Sequence, residues 1–485
     1  MVGDNPLTVA QADQVLADGP AWIGVVAAVV LAVGLRSGSR GGPLALERAE
    51  VRHVLLAPVD RTAALRAPAI RQLRFLAFVG IVAGAVTGQL ATHRLDAPAA
   101  AWVATGALAG LTLVALGAGT ALVTGGAGFP RWTATATGLV LVAWALAHAL
   151  DAVPFSPTAP FGDLVLWPLE WSPLGLLAVV VGAVVVVVGL SLLGRTSLED
   201  AERRSRLVGQ LRFAATLQDL RTVIVLRRQL AMELPRVRPW VRLRVRGNRR
   251  APVFTRGVRG LLRWPAARLA RLVLLAVTAG LALRGAWAGT TPLVLLAGLA
   301  LFVAGLDTVE ALAQEVDHPS RRDCSPIEVG AIHLRHVPIG VLGQALVAAV
   351  AVLVAAGPGG GGQVPADIAV IAGAPLALGA VAGALVSVLS GPASTSGGWA
   401  LAPPEAQGMR LAFRTAWPPS LAALGTVPVL TARWAMESGD PGAPAAVSAA
   451  MGIGLLFAVV CGWVRLHDEI GAWFQQQMEQ TSARG

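Results

Sequence analysis

Long apolar runs recur along this chain, separated by shorter polar segments. Crossing about 30 Å of hydrocarbon as a helix takes roughly 17–25 residues, and helices are the default there because every backbone polar group must be paired. The pattern predicts an all-α, polytopic membrane protein with about eleven transmembrane helices. The predicted spans are centred on 20–35, 75–92, 99–123, 133–150, 173–194, 270–288, 291–308, 337–356, 367–390, 418–434 and 444–464.

The composition agrees with this pattern and excludes one large class of enzymes. Of the 485 residues, 55% are hydrophobic and 14% are charged, whereas soluble domains carry about 25% charged residues. All 39 basic residues are arginines, and without a lysine the chain cannot form a Walker A phosphate loop. A G-x-S-x-G nucleophile elbow is also absent from the sequence. We therefore predict no enzymatic activity of its own and no cofactor.

Arginine placement predicts the orientation in the membrane. The segment 36–74 holds eight arginines and the segment 195–271 holds twenty. Basic loops stay on the cytoplasmic side of a membrane. With both segments inside, the plasma (inner) membrane protein has its N-terminus outside and its C-terminus in the cytoplasm. The resulting aromatic belt includes tryptophans near many span ends.

The predicted spans form two bundles around a basic segment. We expect a first transmembrane bundle of about five spans in 1–195, a basic segment in 196–268, a second bundle of about six spans in 269–466, and a cytoplasmic tail in 467–485. Within the basic segment, 197–234 is predicted to form one or two amphipathic helices. The stretch 236–268 is predicted to form an elbow helix on the inner membrane face. We expect it to bind anionic lipids, and we do not expect it to bind nucleic acid.

Two loops occupy corresponding places in the bundles. "VLLAPVDRTAALR" (54–66) and "EVDHPSRRDCSPIEVGAIHLRHV" (315–337) each follow a span that descends to the inside, and each precedes four further spans. Pro58 and Pro319 are both followed three places on by an arginine, Arg61 and Arg322. The pattern predicts two pseudo-repeated bundles, an arrangement common in transporters. Small residues at helical spacing, as in "VAGAVTGQLA", predict close helix packing.

The segment "VLLAPVDRTAALRAPAIRQLR", with the elbow and the six-span region 250–465, resembles a type-2 ABC exporter permease. The resemblance also extends to uncharacterised arginine-rich actinobacterial membrane proteins. It implies a permease whose ATPase is a separate subunit. ATPase-docking residues would then lie in 54–66 and 316–330: Pro58, Asp60, Arg61, Pro319, Arg321 and Arg322. Two departures from the family are the missing first span of the N-terminal half and the lack of a large exterior domain.

Acidic and imidazole groups cluster near the inner end of the seventh predicted span. Asp307 and Glu310 stand at i, i+3 on one helix face. Such ligands could bind a divalent metal, but nearby arginines favour an ion-paired turn, so no metal site is predicted. The remaining members of the cluster are Glu315, Asp317, His318, His333 and His336, and the expected basic partners are Arg321, Arg322 and Arg335.

Three ionisable residues near the outer ends of the spans are candidates for a substrate path. They are His148, Asp151 and Arg284, because charged groups in membranes are costly and often functional. An alternative function is that of a non-transporting scaffold with a lipid- or partner-binding basic face. A third possible function is that of a proton-coupled carrier that uses His148, Asp151 and Asp307. The sequence does not decide whether the protein forms homo-oligomers.

Overall fold

A computed structural model of the chain describes residues 9–39, 60–93, 95–196, 240, 252–318, 320, 326–357, 363–390 and 416–482. Every regular element in these ranges is helical, which confirms the predicted all-α class. Contacts divide the described residues into two compact units, one formed by 9–196 and the other by 240 and the residues that follow it. The predicted helices in 197–234 lie outside the described residues.

The first unit contains six α-helices and one short 3-10 helix at Leu193–Arg195. The run "LAVVVGAVVVVVGLSLL" is rich in β-branched residues that favour strands in water, yet most of it lies within the last α-helix. The six α-helices are α1 Val9–Gly38, α2 Arg61–Ala91, α3 Ala99–Gly126, α4 Arg131–Ala149, α5 Ala159–Val165 and α6 Leu174–Ser191.

The second unit begins with a short helix that precedes a bundle of longer ones. Residues 416–424 are also helical and lie between α12 and α13. The remaining helices are α7 Pro252–Leu261, α8 Ala266–Trp287, α9 Leu293–Thr308, α10 Glu310–Asp317, α11 Val329–Ala356, α12 Ala366–Leu389, α13 Val427–Glu437 and α14 Gly442–Ser482.

Nine described helices are long and apolar enough to cross a membrane, or ten if α9 and α10 together form one bent span. The chain is therefore a multi-pass membrane protein, and the described residues hold nine or ten of the roughly eleven predicted spans. The predicted span 418–434 is interrupted, because a turn at 425–426 separates 416–424 from α13. Pro428 explains the break, since proline lacks an N–H and its ring clashes with the carbonyl four residues earlier.

Close packing through small residues holds the helices of the first unit together, as the sequence predicted. Along α2 and α3, Gly80 and Gly84 face Gly110 and Gly106. A Cβ added to Gly80 would lie 2.6 Å from the carbonyl oxygen of Gly110. Backbones at this separation leave no room for a side chain, which is the usual way in which helices associate in lipid.

Corresponding helices are in contact in the two units. In the first, α3 packs against α1, α2 and α6; in the second, α12 packs against α9, α11 and α14. The short helix before the last one packs on it in both units, α5 on α6 and α13 on α14. Likewise α4 packs on α1, and Ala423 in 416–424 lies against Gly298 of α9. This shared order agrees with two pseudo-repeated bundles.

Charge is segregated between the two ends of the first unit. Arg36 at the end of α1 donates a hydrogen bond to Thr135 near the start of α4, 3.0 Å away, and Gly194 after α6 abuts Thr62 at the start of α2. These contacts bring most of the described arginines of the unit to one end. The opposite end carries acidic residues, including Asp96, Asp151, Asp163 and Glu170. The segregation agrees with the predicted orientation, which stays a prediction.

Candidate functional site

The most polar interior of the second unit lies where α9 meets α10. The two helices are bent by 59° with respect to each other, with Val309 between them. Asp307 is the penultimate residue of α9 and Glu310 is the first residue of α10, so two carboxylates flank the bend. Both are largely buried, with side-chain exposures of 17% for Asp307 and 10% for Glu310.

Two arginines from the start of α8 neutralise these carboxylates. Arg268 forms a salt bridge with Glu310 and lies 3.8 Å from the carboxylate of Asp307, while Arg271 pairs with Asp307. The guanidinium of Arg268 also stacks on the ring of Trp264, 4.2 Å from its centroid. We call Arg268, Arg271, Asp307 and Glu310 the charged joint. Two positive and two negative charges make it neutral overall, as burial of charge requires.

The charged joint also satisfies the backbone at the bend. The last carbonyl groups of a helix have no partner within the helix. Nη2 of Arg268 donates to the main-chain oxygen of Asp307, 2.5 Å away, close to the end of α9. One arginine therefore contacts both carboxylates and a carbonyl at the break, which lets the chain bend inside a water-poor bundle.

A buried polar face of α11 packs against the same bend. The amide of Gln344 is fully buried and donates to the carbonyl of Leu301, 3.2 Å away. The hydroxyl of Thr308 donates to the carbonyl of Gly305 and lies 3.4 Å from Oε1 of Gln344. Gly343 of α11 lies against the side chain of Thr308, so the missing Cβ permits this approach.

Two buried imidazoles, His333 and His336, continue the face of α11 towards the charged end. Nδ1 of His336 has no hydrogen-bond partner among the described residues. No group of three or more His, Cys, Asp or Glu side chains in the described part of the chain has an arrangement that could hold a metal ion.

Further ion pairs connect neighbouring helices at this end of the unit. Arg256 of α7 lies 3.7 Å from the buried carboxylate of Glu315 in α10. Arg465 of α14 pairs with Glu328, which immediately precedes α11. The hydrogen bond from Arg465 holds the pKa of Glu328 below its ordinary value. One ion pair therefore joins α7 to α10, and the other joins α14 to the start of α11.

The ion-paired turn predicted for Asp307 and Glu310 is confirmed among the described residues, with partners that were not among the arginines expected from the sequence. The arginines that pair with them are Arg268 and Arg271, 36 to 42 residues earlier in the chain. Arg335 is exposed, and Arg321 and Arg322 lie outside the described residues. A sequence signal existed, because Arg268 and Arg271 share the i, i+3 spacing of Asp307 and Glu310.

The predicted docking residues are only partly described. Asp60 is the N-cap of α2 and accepts hydrogen bonds from the amides of Thr62 and Ala63; Arg61 is the first residue of that helix. Within the predicted docking segment 54–66, residues 61–66 form the start of a 31-residue helix. Residues 54–59, with Pro58, and also Pro319, Arg321 and Arg322 lie outside the described residues.

The predicted substrate-path residues do not form one constellation within either unit. Nδ1 of His148 lies 3.1 Å from the carbonyl of Val153 in the turn after α4. Asp151, in the same turn, is exposed and has a φ of 57°. Arg284 belongs to α8 in the second unit, where it is partly buried. Their place in a substrate path stays a prediction.

A buried arginine, Arg433, caps a helix at the other end of the second unit. This role was not predicted from the sequence. Arg433 is 9% exposed and donates to the carbonyl of Ala286 at 2.7 Å and to Glu437 at 2.7 Å. Its guanidinium thus caps the end of α8.

Comparison with protein-family models, with curated proteins and with solved structures gave no significant match.

Proposed function

We propose that the chain is the membrane-spanning permease of an ATP-driven exporter, with the ATPase supplied by a separate subunit in the cytoplasm. The observation that supports this proposal is the charged joint. Helix α10 leads directly into the predicted docking segment 316–330, and the joint ties its first residue to α8. A displacement of α10 by a bound ATPase would therefore be transmitted to α8 through the joint.

The shared packing order of the two units gives further support. Transporters are often built from two repeated bundles, and two docking segments are expected, one for each bundle. The elbow helix α7 ahead of the first span of the second unit belongs to the same family pattern. A cargo that is apolar or amphiphilic fits an interior with few charges.

Co-purification from native membranes tests the proposal. The full chain is captured in mild detergent and its bound proteins are identified by mass spectrometry; a subunit with a phosphate-binding loop is expected. Because Asp60 caps α2, Asp60→Asn keeps a capping acceptor while it removes the charge. The double variant Asp60→Asn/Arg61→Gln should lose the subunit, and the matched control Arg71→Gln, an exposed arginine of α2 outside the docking segment, should retain it.

A chain that brings down only lipid or partners without ATPase activity would contradict the proposal and favour the scaffold alternative. The proton-coupled alternative predicts transport that depends on Asp151 and continues without ATP. Asp307, its third proposed residue, is paired with Arg271, and His148 contacts a local carbonyl. These contacts give both residues a structural role.

A further inference from the structure

The last helix of the second unit continues well beyond the membrane. Helix α14 has 41 residues, a length of about 62 Å, which is about twice the thickness of the hydrocarbon core. Its predicted apolar span ends at 464, and the next residue, Arg465, pairs with Glu328. Trp473 lies nine residues after that end, about 14 Å along the axis. It is therefore outside the headgroup layer, which is about 5–8 Å thick, and its surroundings are aqueous.

One face of α14 is exposed and uncharged both within the apolar span and beyond it. Leu455 is 70% exposed, Val459 61%, Leu466 44% and Trp473 54%. Their spacings of four and seven residues place them on one side of the helix, together with the exposed residues Gly452 and Gly462. We call these six residues the open face. Lipid can cover its first part, but an apolar side chain in water calls for contact with protein.

The glycines of α14 differ in their surroundings from most other glycines in the described membrane-crossing helices. Elsewhere a glycine usually admits a neighbouring helix, as Gly80 and Gly84 do between α2 and α3. A Cβ on Gly452 or Gly462 would meet nothing within 4 Å. Small residues are enriched where membrane helices pack closely, and glycine weakens a helix relative to alanine. The two glycines of the open face thus have the composition of a helix–helix contact without a neighbouring helix.

We propose that the open face of α14 binds the same face of a second copy of this chain, as a parallel pair of helices related by a two-fold axis perpendicular to the membrane. Copies inserted in one membrane share an orientation, so each residue of the face meets its counterpart. A face without charge is compatible with itself in this arrangement. Glu469, next to the face, has Arg465 one turn away on the same helix, and the two interact electrostatically.

The size of the open face indicates a reversible dimer. From Gly452 to the exposed Gln480 it is about 42 Å long on a helix about 11 Å across, or roughly 450 Å² on each copy. Two such faces bury about 900 Å², which is in the range of weak interfaces. The interface involves neither the docking segments nor the charged joint, so it is independent of whether the chain transports a substrate.

Disulfide trapping of the full chain in liposomes tests the contact. A disulfide requires Cβ atoms about 3.5–4.5 Å apart, so trapping between copies reports direct contact. In a Cys324→Ser/Cys461→Ser background, Leu466→Cys should form covalent dimers on mild oxidation. The matched control is Asp468→Cys, which is also exposed but lies nearly opposite, because two residues turn a helix by about 200°. It should stay monomeric.

Energy transfer between labelled copies at increasing lipid dilution measures the strength of the dimer. Trp473→Gln should weaken it about tenfold, because a central tryptophan commonly dominates an interface. Gly462→Leu should weaken it at least as much, and the open space at its Cβ leaves the fold of each copy intact. Leucine is used because alanine is itself common at such contacts. The control Trp132→Gln removes a tryptophan of α4 that is 74% exposed and should change the affinity less than twofold.

Monomers at every lipid ratio would overturn the proposal and leave the open face to lipid. Equal trapping at positions 466 and 468, or equal effects of Trp473→Gln and Trp132→Gln, would overturn it too. So would dimers that form only after another protein is added, since the face would then belong to that partner.

Discussion

Replacing Arg268 by glutamine should strongly destabilise the second unit, because it leaves the charged joint with a net charge of −1. Nη2 of Arg268 lies 3.8 Å from Asp307 Oδ1, and a unit charge pair at that distance is worth about 4 kcal/mol at an effective dielectric constant of about 20. The pair with Glu310 adds to this attraction. The regained hydration of the guanidinium offsets part of the loss, since burying one ion costs several kcal/mol.

Breaking a buried pair by removing one partner costs about 3–5 kcal/mol, and Arg268 is 13% exposed. We expect the free energy of unfolding to fall by about 3 kcal/mol. The double variant Arg268→Gln/Glu310→Gln restores neutrality, because Arg271 and Asp307 remain as a pair. It should therefore be more stable than Arg268→Gln alone, although it carries one more substitution.

Cys461 provides a reporter within the same unit. Its side chain is half-buried and packs against a core that includes Val309 and Leu312, next to the charged joint. The sequence has one other cysteine, Cys324. In a Cys324→Ser background, labelling of the Cys461 thiol along a titration with sodium dodecyl sulfate measures unfolding of the second unit. The control Arg335→Gln removes an exposed arginine and should change stability by less than about 0.5 kcal/mol. If Arg268→Gln and Arg335→Gln unfold at the same detergent fraction, the structural role given to the joint is refuted.

Three further changes have expected outcomes. Gly84→Ala should destabilise the first unit by about 1–3 kcal/mol through overpacking, because its Cβ would collide with the carbonyl of Gly106; thermal midpoints should show no such loss for Gly452→Ala, whose Cβ meets nothing within 4 Å. The pKa of Glu328 is lowered by its hydrogen bond from Arg465, so its contribution is present above the ordinary value of 4.5 and is lost as the pH falls through the lower folded value. The unsubstituted chain should therefore lose more stability on acidification than Glu328→Gln, and parallel pH profiles would contradict this. Burial, followed by the charge of Glu170, raises the pKa of Asp163 above its ordinary value of 3.8. Asp163→Asn should therefore raise the melting temperature at pH 7, and its effect should become smaller as the pH falls towards that ordinary value and the carboxyl takes up its proton; an effect independent of pH would rule out this cause.

Much of the fold was predictable from the sequence, because lipid leaves few choices to a backbone. An apolar run of sufficient length must be helical there, and this rule held for α6 despite its β-branched residues. The rule did not predict the break within 418–434, where Pro428 interrupts the apolar run. It also did not predict the bend at the end of α9, which Asp307 and Glu310 flank. Both exceptions depend on local backbone hydrogen bonds that average hydropathy does not register.

The parts of the chain that prefer lipid and the places where positive charge accumulates follow from the sequence alone. Those properties are sums over neighbouring residues. Which charges pair depends on the tertiary fold: Glu310 pairs with Arg268, 42 residues earlier, while the nearer Arg335 is exposed. Ion pairing inside a bundle depends on which helix ends lie side by side, and that order is set by the packing of small residues along the helices.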